Sequence, residues 1–341
     1  IDHATPAAFY AHQKTRKNYY QIGVELANSG FEYFAGGEFQ KVNGDGTDPN
    51  NHEVAAQAGY NVVTTQAGAA ALKAGAGKTL IIAENLADGK SMNYAMDAAP
   101  GEWQLTDYVR KGIELLDNSN GFFMMVESGK IDWACHANDA ASSIHDTQAL
   151  ADAVQVAIDF AKEHADETLI IVTADHETGG MTIGFATTAY DTHFNYLTSQ
   201  KISFADFDAV IADLREKNAA FEDALEAVKT YYGLTTEADQ PLSLTEADVQ
   251  ALKAAFELSM TAKDARKENA EDALLYGGYE PFSMAVSHIM NNKAGLSYTS
   301  YAHTGLQIPV YAQGVGAQTF SGLYDNTDIF NKTMDVMGLS K

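Results

Sequence analysis

"TLIIVTADHETGG", residues 168–180, is an apolar, β-branched run that ends in an acid, an imidazole and two glycines. Residues 168–172 read as a strand of a covered sheet, since short continuous apolar runs closed by turn residues suit that setting. Side chains on a strand alternate between its faces. Asp175 and His176 therefore converge only where the backbone leaves β geometry. A metal ion rewards such convergence, because carboxylate and imidazole both ligate zinc. A lone Asp-His pair is ordinarily a polar loop with glycines for its turn, so partners must come from elsewhere in the chain.

Upstream, Leu150, Val154, Ile158 and Ala161 fall on one helical face. Before them "GFFMMV", residues 121–126, reads as a strand, with Glu127 just past its end. Strand, helix and strand make a βαβ unit. Further strands are expected at 59–65, 78–83 and 308–312, and a helix at 17–29. The expected class is α/β, a mostly parallel central sheet flanked by helices. Residues 185–295 differ: their alanine-rich, charged windows are amphipathic helices, with Thr245 and Asp248 spaced as an N-terminal cap. We expect one domain over 1–341, with 185–295 as a helical insertion.

Composition narrows the function. Forty-six acids against 22 bases give a formal net charge of −24, which opposes binding to nucleic acid or anionic membrane. An anionic substrate would need a local positive focus. The single cysteine, Cys135, excludes an internal disulfide. No apolar run reaches the roughly 18 residues of a membrane helix. "AGAGKT" at 74–79 is not a phosphate loop, since Leu72 stands where its first glycine belongs. "NGDGTDPNN" at 43–51 lacks the closing glutamate of a calcium loop and reads as surface.

Four segments offer ligands. They are residues 2–16, residues 126–136 ("VESGKIDWACH"), the Asp175-His176 pair, and "AHTG" with His303. Asp132 and His136 are four apart, which stacks them on one helical face. Glu127 is a hard oxygen ligand of the kind magnesium takes. Taken singly, each is an ordinary surface group. Ligands, however, gather at the carboxyl ends of parallel strands, where Glu127 and Asp175 both fall.

"HATPAAFYAHQKTR", "VESGKIDWACHAND", "TADHETGG" and "HTGLQIPVYAQG" resemble, in order and over nearly the whole chain, the segments of the alkaline phosphatases. The resemblance implies the fold of that family and hydrolysis of phosphomonoesters with two Zn²⁺ and one Mg²⁺. It gives Asp132, His136 and His303 to the first zinc and Asp175 and His176 to the second. Glu127 and Thr5 would serve magnesium, with His3 acting there through water. Arg16, eleven residues past Thr5, would grip the substrate phosphate, its planar fork suiting two phosphoryl oxygens. Two zinc ions about 4 Å apart can clamp the entering and leaving oxygens of an in-line displacement. Cys135 points about a hundred degrees away from His136 on a helix and reads as packing.

The pattern breaks at one place. The family attacks with a serine that follows an aspartate and uses an earlier bridging aspartate. This sequence has no Asp-Ser dipeptide, and both features would precede residue 3. We therefore expect the chain to be a carboxyl-terminal portion that lacks the first core strand, with weak or no turnover alone and with homodimer or other self-association. The resemblance implies a periplasmic or extracellular setting, with phosphomonoesters and inorganic phosphate as ligands. The alternatives are another two-metal enzyme (phosphodiesterase, sulfatase or phosphoglycerate mutase) or a non-catalytic zinc- or phosphate-binding protein.

Overall fold

The computed structural model describes residues 1–267 and 269–339. They divide into two units, the first Ile1–Ser128 with Thr147–Val156, the second Gly129–Asp146 with Ala157–Lys341. The first begins with α1 (Ala4–Ala8), α2 (Tyr19–Asn28), β1 (Tyr33–Gly36) and α3 (Asn51–Gln57). β2 (Asn61–Val63), α4 (Gln66–Ala71), β3 (Thr79–Ile82) and α5 (Leu105–Leu116) follow.

β3 lies between β1 and β2 and runs parallel to both, with Leu80 level with Phe34 and Val62. All four of its residues are buried, which explains its unbroken apolar sequence. Alternation does the rest. Leu80 and Ile82 join Ile22, Leu26 and Phe39 in one core, while Ile81 joins Ala69 and Tyr108 in another. The parallel sheet meets the α/β expectation.

Residues 121–126 do not form the expected strand. Apolar composition suits a strand, but a ladder also needs a neighbour in register, which composition cannot specify. The βαβ unit expected through residues 121–172 is accordingly not formed.

The chain continues with α6 (Gly129–His136), α7 (Ala140–Glu163), β4 (Leu169–Val172), β5 (Glu177–Thr178) and β6 (Thr182–Ile183). The helices α8 (Phe204–Glu216), α9 (Phe221–Tyr232), α10 (Glu246–Ser259), α11 (Ala270–Tyr276) and α12 (Pro281–Ala294) come next. β7 (Leu296–Ser297), β8 (His303–Thr304), β9 (Tyr311–Gly314) and α13 (Asp328–Val336) complete it. β4 pairs antiparallel with β9. β9 starts three residues later than the expected 308, because Pro309 has no N–H for a ladder.

In the second unit, α12 is the hub of the helical block. Phe282, Val286 and Met290 are fully buried and pack with Phe207, Val228 and Leu252, and Met284 is fully buried as well. Pro281 opens α12 and Gly295, at φ 80°, closes it. Thr245 and Asp248 form the reciprocal cap at the start of α10 that their spacing predicts. Asp139 caps two helices at once. Its carboxylate accepts from Ser142 N at 3.0 Å in α7, from Phe204 N at 2.9 Å in α8, and from Gln200 Nε2 at 3.0 Å.

Candidate metal centre

The site of the second unit is built on one helix and one two-residue ladder. On α6, Asp132 and His136 share a face, and Asp132 Oδ1 lies 3.4 Å from His136 Nε2. The helix ends abruptly at Asn138, whose φ of 51° is left-handed. That residue fastens the corner. Its side-chain amide donates to Cys135 O and Ser300 O at 3.0 and 2.9 Å. It accepts from His288 Nε2 at 3.1 Å, and its carbonyl accepts from Asn291 at 2.7 Å. His136 Nδ1 then meets the carbonyl of Tyr301 at 2.6 Å. A carbonyl only accepts, so Nδ1 carries a proton, and in the neutral ring Nε2 then presents its lone pair towards Asp132.

β4 ends at Val172, and the chain bends at Asp175. That bend brings Asp175 Oδ2 within 3.3 Å of His176 Nε2, the convergence inferred from the sequence. The two glycines have separate reasons. Gly179 takes φ 86°, and a Cβ there would stand 2.7 Å from the carbonyl of Cys135. Gly180, at φ 61°, has the Thr299 hydroxyl 2.1 Å from where its Cβ would be. Both positions exclude a side chain.

β5 pairs antiparallel with β8, Thr178 opposite His303 and Glu177 opposite Thr304. Glu177 locks this ladder by accepting from Gly180 N at 2.9 Å and from the Thr304 hydroxyl. Residues directly opposite across a pair share a face, which sets Thr178 beside His303. His176 stands just before β5, its Nδ1 3.2 Å from the Thr178 hydroxyl. The rings of His176 and His303 stack with centroids 3.3 Å apart. His303 Nε2 lies 3.8 Å from Asp132 Oδ1.

Among the described residues, one donor atom each from Asp132, His176 and His303 falls within 4.8 Å of the others. One carboxylate with imidazoles is a zinc-type donor set. Bond lengths of 2.0–2.1 Å to a tetrahedral zinc require ligand atoms about 3.3–3.4 Å apart. The Asp132–His136 and Asp175–His176 separations, 3.4 and 3.3 Å, match that edge. The residues fit the metal.

Neighbouring ionisable groups are pushed towards neutrality. Burial raises the Cys135 thiol to about 11, which keeps it neutral at ordinary pH. The Tyr279 phenol rises to about 12 through burial and then the charge of Asp132. His288 is held down to about 4 by burial.

The remaining expected residues lie in the first unit. His3 is the N-cap of α1 and stacks on Tyr19 at 5.9 Å, and Thr5 is half-buried within α1. Arg16 is exposed in the turn that precedes α2, and Glu127 is exposed in the loop after residue 126. Reading the sequence missed Thr178 and Tyr301. Thr178 gave a signal, standing two residues past His176 in a strand. The Tyr301 contact joins a backbone carbonyl to a residue 165 positions away and leaves no trace in composition.

The family described as alkaline phosphatase matches residues 29–339 of the sequence. The chain belongs to the alkaline phosphatase family. It is 31% identical over 348 residues to alkaline phosphatase 4 of Bacillus subtilis, covering 100% of this chain and 66% of that protein. To alkaline phosphatase 3 of the same organism it is 32% identical, covering 96% of this chain and 64% of the relative. The chain thus spans about two thirds of the length of these relatives. The cold-active alkaline phosphatase of Shewanella sp. shares the fold, with a TM-score of 0.77 and 26% identity over 100% of this chain and 73% of that one. The expected alkaline-phosphatase-like α/β class is the observed one.

Proposed function

We propose that the chain carries the metal-holding machinery of a phosphomonoester hydrolase. The observation that carries this is the gathering of Asp132, His176 and His303 donors within 4.8 Å, with His136 and Asp175 at tetrahedral-edge distance from their neighbours. Asp132, His136 and His303 would hold one zinc, and Asp175 and His176 a second. Thr5 and Glu127, with His3 through water, are proposed for magnesium. When bound, zinc supplies a Lewis acid and a lowered pKa for a coordinated hydroxyl or water.

The chain's own residues orient and bind. Tyr301 keeps His136 Nδ1 protonated, and Glu177 fixes the ladder under His176 and His303. Arg16 would offer two parallel donors to a phosphoryl group. The cationic centre would supply the attraction for phosphate that a net charge of −24 opposes. Residues 185–295 are proposed as an insertion within a single domain, a reading supported by the β6·β7 ladder at their base. Self-association and a periplasmic or extracellular setting complete the proposal. Among the described residues no helix is long and apolar enough to cross a membrane.

No Asp-Ser pair occurs in these 341 residues. The expected behaviour of the chain alone is therefore zinc and phosphate binding with slow turnover. Metal analysis after dialysis against zinc, labelled-phosphate binding, and turnover of a chromogenic phosphomonoester test this together. Two bound zinc ions with phosphate binding support the reading, and a chain that leaves dialysis free of zinc overturns it.

A further inference from the structure

We infer that Thr178 is a positioning residue that ties the two proposed zinc sites together and sets the tautomer of His176. The inference rests on the zinc reading above and deepens it. Thr178 is buried, 7% exposed, between the two sites. Its hydroxyl lies 2.5 Å from Asp132 Oδ1, proposed for the first zinc, and 3.2 Å from His176 Nδ1, proposed for the second.

A hydroxyl has one proton and two lone pairs, and an ionised carboxylate only accepts. The shorter contact therefore takes the Thr178 proton. The second contact is a hydrogen bond only if His176 Nδ1 carries the donor. The chain of donors runs His176 Nδ1–H to Thr178 Oγ1–H to Asp132 Oδ1, and in the neutral ring this leaves the lone pair on His176 Nε2.

The surroundings agree. His176 Nε2 is the atom 3.3 Å from Asp175 Oδ2. Two lone-pair donors at that separation repel unless a proton or a metal ion sits between them, and the tetrahedral edge of zinc has that length. His136 is fixed in the same sense by the Tyr301 carbonyl. Both imidazoles thus present Nε2. One hydroxyl does for His176 what a backbone carbonyl does for His136, and it also holds the carboxylate of the other site. The geometry is enforced by backbone pairing, since Thr178 opposes His303 in the β5·β8 ladder.

The test compares the full chain with T178V, which keeps the shape but not the hydroxyl, and T178S, which keeps the hydroxyl. In the metal-free protein, nitrogen-15 NMR of the histidines reads which nitrogen holds the proton. Zinc titration against a chromophoric chelator reads both affinities. We expect the Nδ1–H form of His176 in the wild type and in T178S, and a mixed population in T178V. Zinc affinity at the weaker site should fall on the order of 10- to 100-fold in T178V and return to within about threefold in T178S. Equal zinc affinities and unchanged tautomers in T178V overturn the inference, as does equal weakening in both variants. A wild type that takes up no zinc defeats the metal-centre reading instead, while the metal-free tautomer comparison still judges Thr178.

Discussion

His136 donates from Nδ1 to the carbonyl of Tyr301 at 2.6 Å, while the side chain of Tyr301 is anchored in the helical block. Its hydroxyl donates to Leu275 O, and its ring lies against Gly277. Gly277 has φ 59°, and a Cβ there would come within 2.3 Å of the Tyr301 ring. Gly277→Ala is expected to cost about 2 kcal/mol or more, from left-handed strain and overpacking. It should also weaken zinc binding by moving the carbonyl that His136 needs. Urea unfolding and zinc titration of the same variant check both parts, and a destabilised variant with unaltered zinc affinity would dissociate Tyr301 from the metal centre.

The stacked pair His176 and His303 predicts coupled sites. His303→Ala should lower zinc affinity on the order of 100-fold or more at the site that uses it, with the second zinc also bound less tightly because its ligand loses the ring beneath it. Stoichiometry by metal analysis at several free-zinc levels would show this, and retention of two tightly bound ions would contradict it.

Asp139 predicts a stability effect away from any chemistry. Asp139→Ala strands Ser142 N and Phe204 N, donors to a fully buried carboxylate, and leaves the Gln200 amide with only the Ile202 carbonyl. The expected loss is on the order of 3 kcal/mol. Asp139→Asn should recover little, since its amide nitrogen would face donors. Chemical denaturation at neutral pH measures both variants.

His288 predicts the direction of an acid effect. Burial holds the native group at about 4 against an ordinary value of 6.5. Between those values the unfolded chain binds the proton and the native protein does not, so stability increases with pH. The contribution is complete above about 6.5 and is lost as pH falls through about 4, with a total of roughly 3 kcal/mol. His288→Gln keeps a donor for Asn138 but removes the titration. The stability difference between wild type and variant should shrink in the wild type's disfavour from pH 7 to pH 4, and a constant difference would refute the assignment.

Local patterns proved readable where one segment sets its own outcome. The buried β3, the Thr245–Asp248 cap and the bend that joins Asp175 to His176 all follow from neighbours in sequence. Pairing did not prove readable. Residues 121–126 have the composition of a strand and form none, and β4 takes an antiparallel partner from beyond residue 310. In the site, side chains that converge could be named from residue types. The supporting groups could not, because Asn138, Thr178 and the Tyr301 carbonyl act through contacts that join distant segments.

The Leu275–Gly277–Tyr301 clamp constrains what can be exchanged between relatives. A chimera that received another family member's helices over 204–294 would have to import the carbonyl, the glycine and the tyrosine as one set. Otherwise the graft could fold well and still leave an imidazole in the other half of the unit without its orienting acceptor.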